Sequence, residues 1–151
     1  RIRQAILVGD LPSASAMLGE DYAFSGTIVH GRHIGHTIGI PTINLPVPEK
    51  RLLPPFGVYA SVTKIHGQKI MGISNLGVKP SVGAREHPGL ETHLFDYDHD
   101  LYGVPVETVL IQFIRPEQKF DSLETLKKQI QQDAVSAKKL LEVTPSQDPD
   151  R

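Results

Sequence analysis

Apolar positions change their spacing twice along the 151 residues of this chain. At the start, Ile2, Ala5, Ile6 and Leu7 mark one helical turn stopped by Gly9. Asp10 or Ser13 can cap a second turn, carried by Ala14, Met17 and Leu18 and ended by Gly19. From Tyr22 the apolar residues fall instead into short β-type runs at 24–30, 57–66, 69–76, 90–97 and 104–114, divided by glycine and proline. The stretch 37–44 is expected to be irregular, because Pro41 cannot donate to a strand ladder and Gly39 weakens one. Gly67-Gln68 fits a hairpin turn between the second and third runs. In the last run, Val106, Leu110 and Ile114 share one parity while Val109, Ile111 and Phe113 share the other, so both faces should be covered. The period then becomes helical: Leu123, Leu126, Ile130, Ala134, Ala137 and Leu141 form one stripe, with Asp121 and Glu124 as a capping-box-like start. A closed or nearly closed β-barrel is expected, with this C-terminal helix across one opening or flank. Residues 144–151 read as a frayed, polar, proline-rich tail.

Composition narrows the function classes. Charged residues are 22% and hydrophobic residues 39%, a globular balance. Sixteen Lys plus Arg against 17 Asp plus Glu leave a formal net charge of -1. A general electrostatic grip on nucleic acid or on an anionic membrane is therefore not expected. Without cysteine there is no disulfide, thiol nucleophile or cysteine-ligated metal. The longest uncharged stretch, 33–48, is broken by glycines and prolines, so no membrane span is expected. With no targeting signal the default compartment is the cytoplasm. The start at Arg1 suggests a piece of something longer.

Candidate chemistry concentrates in three places. Gly31, Gly35 and Gly39 recur every four residues, and no acidic side chain lies between Asp21 and Glu49. A glycine-rich loop free of carboxylates lets backbone N–H groups approach a phosphate, although the same glycines also suit ordinary turns. His30, His33 and His36 within that loop lack the usual helical spacing of zinc ligands, so zinc is not expected; they read as polar loop residues that can aid a phosphate. Thr42 and Asn44, two apart in an extended segment, point to the same side. Their neutral oxygens suit Mg²⁺, although on the residues alone a hydrogen-bonded turn is the simpler reading. Alternation from Glu91 sets Glu91, His93, Phe95 and Tyr97 on one face, with Thr92 and Leu94 on the other. That carboxylate can act as a base on a hydroxyl or can form a cross-strand salt bridge. Asp96, Asp98 and Asp100 read as a solvated turn. Arg115 has Glu117 and Glu124 as candidate partners, and Phe120 is placed to pack the helix start.

Assembled, these residues resemble the riboflavin kinase family, specifically the kinase module of bacterial bifunctional FAD synthetases. The likeness runs through Phe24-Ser25-Gly26-Thr27, Gly39-Ile40-Pro41-Thr42-Ile43-Asn44, Asn75-Leu76-Gly77-Val78-Lys79-Pro80, Leu90-Glu91-Thr92-His93-Leu94-Phe95, Phe113-Ile114-Arg115-Pro116-Glu117 and Phe120-Asp121-Ser122-Leu123, in order, over roughly residues 22–141. The resemblance implies a mainly β fold, a six-stranded antiparallel Greek-key barrel with a C-terminal α-helix, and transfer of the ATP γ-phosphoryl to the riboflavin 5′-hydroxyl. It implies Glu91 as general base and Thr42 and Asn44 as ligands of Mg²⁺ and ATP phosphate. The loop residues Gly31, His33, Gly35, His36, Thr37, Gly39 and Pro41 would cradle ATP, with Arg115 and Phe120 bordering the flavin. It divides the chain into 1–21 as a linker or the tail of a preceding FMN adenylyltransferase domain, 22–142 as the kinase domain and 143–151 as a tail. The protein is expected to be a monomer with riboflavin/FMN and ATP/ADP as its partners, and without nucleic acid or membrane. Three positions depart from the family: Ile43 where Ala is usual, and Lys79 and Ser81 where Arg and Thr are usual. A lysine lacks the bidentate fork of arginine, which weakens any hold by that segment on substrate. Two other classes fit parts of the pattern. A barrel that merely holds a flavin would not need the glycine loop, and a nucleic-acid module would need a basic stripe.

Overall fold

The polar–apolar alternation becomes two layers of packing around one sheet. A computed structural model describes residues 2–9, 22–29, 42–47, 52–80, 86–97 and 101–143. Its elements are α1 (Ile2–Leu7), β1 (Tyr22–Thr27), β2 (Thr42–Pro46), β3 (Gly57–Ile65), β4 (Gln68–Pro80), β5 (Glu86–Leu94), β6 (Pro105–Pro116) and α2 (Leu123–Val143). The six strands pair antiparallel in the order β1-β6-β3-β4-β5-β2. An isolated bridge brings β2 back to the chain just after β1: the Val29 N–H donates to the Asn44 carbonyl at 2.8 Å. The sheet is thus a nearly closed barrel, and the spatial run β6-β3-β4-β5 is a Greek key.

Inside the barrel, Phe24, Ile43, Leu45, Tyr59, Leu76, Leu90, Leu94 and Leu110 form one buried cluster. Buried hydroxyls share this interior and satisfy one another. Ser74 Oγ donates to Ser61 Oγ at 2.8 Å, which leaves Thr92 to donate to Ser74 across 2.7 Å; Thr63 and Thr108 pair at 2.9 Å. On the outer face, Val58, Ala60, Ile73 and Phe95 pack against Ala137, with Ile130, Ala134, Leu140 and Leu141 of α2 around them. The helix therefore lies on a flank of the barrel, and β3 is covered on both faces. Ala5 and Ile6 of α1 are buried in the barrel's own cluster, and Gly9, with φ 80°, ends that turn.

Several sequence expectations shift. The hairpin turn is His66-Gly67, one residue earlier than expected, with φ 50° and 79° in the two turn positions. Positive φ at both matches the twist of a type I′ hairpin, which Gly67 permits without strain. The helix cap is Ser122 rather than Asp121: its Oγ accepts from the Thr125 N–H at 3.1 Å. Thr42–Pro46 is a regular strand, so the irregularity expected over 37–44 does not hold for Thr42, Ile43 and Asn44, while 37–41 lie outside the described residues. The second helical turn proposed over 10–19, Ser81 and the tail 144–151 lie outside the described residues.

The largest departure is in β6. Two register shifts against β3 leave Ile111 and Ile114 without partners, since Ser61 pairs Leu110, Ala60 pairs Gln112, Tyr59 pairs Phe113 and Val58 pairs Arg115. Each bulge flips the parity of the strand residues beyond it. Phe113 consequently joins Val106 and Leu110 at the barrel cluster, edge-on to Tyr59 with ring centroids 5.2 Å apart. Ile114 faces α2, against its expected parity. Gly57 sits beside the second bulge so tightly that a Cβ there would collide with the Arg115 carbonyl.

Candidate functional site

Strand register lays out the site. On the outer face, one cross-strand row runs Asn44 (β2), Glu91 (β5), Asn75 (β4), Val58 (β3) and Arg115 (β6), each directly opposite the next. The adjacent row runs Thr42, His93, Ile73, Ala60 and Gln112. Helix α2 roofs the middle of these rows and leaves a cleft of about 170 Å³ beside it. Polar groups from six elements or connections converge there: Thr42, Asn75, Glu91 and His93 from the barrel, Arg115 and Gln118 from the end of β6 and beyond, and Asp133 from α2. Ile73, Phe120, Leu126 and Ile130 supply apolar wall.

Four expected site residues, Thr42, Glu91, Arg115 and Phe120, thus line one cleft although they are spread over 79 positions of sequence (42 to 120). Asn44 stands opposite Glu91 in the same row, just beyond the cleft lining. Gly31, His33, Gly35, His36, Thr37, Gly39 and Pro41, with His30, lie outside the described residues. Ile43 points into the barrel cluster, away from Thr42 and Asn44, so its extra bulk fills core space. Glu91, His93 and Phe95 do share a face, His93 and Phe95 meeting edge-on at 5.7 Å. Tyr97 does not. Asp96 adopts φ 53°, the chain turns there, and Tyr97 packs at the barrel cluster instead.

Arg115 takes neither Glu117 nor Glu124. Its Nε donates to both carboxylate oxygens of Asp133 at 3.0 and 3.1 Å, and its Nη2 to Oδ2 at 2.8 Å. Asp133 is 2% exposed and takes a further hydrogen bond from Gln129 Nε2 at 3.0 Å. The guanidinium also lies over the Phe120 ring at 5.7 Å, so Phe120 packs against Arg115 at the cleft wall. Glu117 instead folds over β4 at Gly77, where a Cβ would occupy the place of its carboxylate. Sequence reasoning missed Asp133, eighteen residues from Arg115; its one signal was an acidic residue between Ile130 and Ala134 on the buried stripe. Asn75 also lines the cleft, and its Oδ1 is buried with no hydrogen-bond partner among the described residues.

Among the described residues, no group of three or more His, Cys, Asp or Glu side chains is arranged to hold a metal. The donor set present is different in kind. Thr42 and Asn44 alternate outward from a strand whose Ile43 and Leu45 are buried, offering two hard neutral oxygens beside the Glu91 carboxylate. That chemistry fits Mg²⁺, which takes a few protein oxygens and fills its shell with water and phosphate.

This Greek-key barrel with a helix on its flank has the fold of riboflavin kinase from Trypanosoma brucei. That structure shares the fold with a TM-score of 0.57 at 18% identity, covering 82% of each chain. Residues 18–141 match the Flavokinase (riboflavin kinase) family, and the chain belongs to it. It is 41% identical over 145 residues, 95% of its length, to the bifunctional riboflavin kinase/FMN adenylyltransferase of Escherichia coli K12. It is 36% identical over 138 residues, 90% of its length, to the protein of the same description from Bacillus subtilis 168. The chain spans less than half of those relatives, 45% and 44%. A Streptococcus pneumoniae crystal structure described as a macrolide-efflux protein matches with TM-score 0.81 and 33% identity over 96% of this chain and 46% of that one. Among the described residues, no helix is long and apolar enough to cross a membrane.

Proposed function

We propose that this domain is a riboflavin kinase that transfers the γ-phosphoryl of ATP to the 5′-hydroxyl of riboflavin, giving FMN and ADP. The observation that carries the reading is the placement of Glu91: half-buried in the cleft, opposite Asn44 in register and next to the row of Thr42. Phosphoryl transfer asks mainly for alignment and charge neutralisation. Glu91 accepts the proton as the 5′-oxygen attacks the γ-phosphorus, and the bond from that phosphorus to the β,γ-bridging oxygen of ADP breaks. Thr42 and Asn44 would hold Mg²⁺, which supplies positive charge to the phosphate oxygens. Gly31, His33, Gly35, His36, Thr37, Gly39 and Pro41 form the segment assigned to the ATP phosphates. Arg115, held by Asp133 at the other side of the cleft, and Phe120, which lies under its guanidinium, border the flavin.

Membership in a family whose relatives are bifunctional supports a linked FMN adenylyltransferase domain, with residues 1–21 as its tail or a linker. A monomer working in the cytoplasm completes the reading. Incubation of the protein with ATP, Mg²⁺ and riboflavin should give FMN and ADP in equal amounts by chromatography. Absence of FMN under saturating substrates would refute it.

A further inference from the structure

We propose that Asn75 determines acceptor specificity: its Oδ1 receives a hydrogen bond from a secondary hydroxyl of the polyol chain of the substrate. The inference rests on the riboflavin kinase reading and adds a residue to it. Asn75 lines the cleft, yet its Oδ1 is buried and no described residue donates to it. Buried acceptors are paired almost without exception, so an orphan in a cleft calls for a donor from the ligand. Every neighbouring buried hydroxyl of the barrel, from Ser61 through Ser74 to Thr92, has its partner, which makes this orphan local to the cleft. The unpaired atom is an acceptor, which an alcohol O–H satisfies and an ionised phosphate oxygen does not. Asn75 is also the direct cross-strand partner of Glu91. Directly opposed Cβ atoms lie about 5 Å apart, a separation that neighbouring hydroxyls on one polyol can bridge. With a secondary hydroxyl held by Asn75, the terminal hydroxyl is presented to Glu91.

The test compares riboflavin with lumiflavin, the same ring system carrying a methyl in place of the polyol, by fluorescence titration of the wild type, Asn75→Leu and Asn75→Ser. Leucine has a similar size and sits among Val58, Ile73 and Leu126. In Asn75→Leu the riboflavin Kd should rise about tenfold while the lumiflavin Kd stays within about twofold. Asn75→Ser, which keeps an acceptor, should fall between. The melting temperature of Asn75→Leu should hold or rise, because an unpaired buried acceptor is removed. Affinities for both flavins falling together, or riboflavin affinity holding, would overturn the assignment. A wild type that makes FMN while Asn75→Leu keeps its preference for riboflavin removes this inference alone. A wild type that neither binds riboflavin nor makes FMN removes the kinase reading with it.

Discussion

Thr42, Asn44, Glu91 and His93 owe their common side of the sheet to the two-residue period of a strand, which can be counted along the sequence. The same count places Ile43, Leu45, Thr92 and Leu94 inside the barrel, where they are buried. The outward side of Glu91 was legible for this reason. Its facing partner Asn44 was legible as a donor but not as a neighbour, because register between β2 and β5 depends on a pairing 47 residues apart (44 to 91). Glu91→Gln keeps size and hydrogen bonding but cannot take up a proton. It should lower kcat by about 100- to 10,000-fold with ATP binding retained, read by steady-state rates and nucleotide titration. Turnover near that of wild type would take Glu91 out of the role. Asn75 escapes notice at this scale because an asparagine in a strand pattern carries no mark of whether its amide is paired.

Single elements carry devices that composition hides. Strict alternation from Leu110 would send Phe113 outward and Ile114 inward; two bulges reverse both and still leave Arg115 on the side of α2. A bulge has no residue signature in this strand, so counting parity failed there. The fork between Arg115 and Asp133 then fastens the end of β6 to the helix, with side-chain exposures of 16% and 3%. Asp133→Ala should destabilise the domain by about 3–5 kcal/mol in urea unfolding, because it strands a largely buried guanidinium. The double variant Arg115→Met/Asp133→Leu should recover most of that loss, since apolar replacement of a buried pair is close to neutral. A single-variant cost below about 1 kcal/mol would show that the fork contributes as little as a surface pair.

At the scale of the whole molecule, the family match begins at residue 18, yet α1 reaches into the barrel cluster through Ala5 and Ile6. Ile6 is 5% exposed, so Ile6→Ala should cost about 2–5 kcal/mol of barrel stability in one cooperative transition, followed by urea unfolding. A loss below about 0.5 kcal/mol, the usual range for a surface change, would mean that α1 contributes nothing to the barrel core. Closure of the sheet likewise belongs to this scale: the Val29–Asn44 bridge joins segments whose pairing no local pattern announces. By itself the sequence determined five of the six strands as β-type runs, the outward side shared by Thr42 and Asn44 and by Glu91 and His93, and the helical stripe, because these arise from periods of 2 and 3.6. Only the tertiary structure decided that Arg115 answers to Asp133, that Phe113 and Ile114 exchange sides, and that Asn75, opposite Glu91, has a buried Oδ1 with no partner among the described residues. Those outcomes depend on strand register, bulges and helix docking, which are set by long-range packing and leave no periodic trace along the chain.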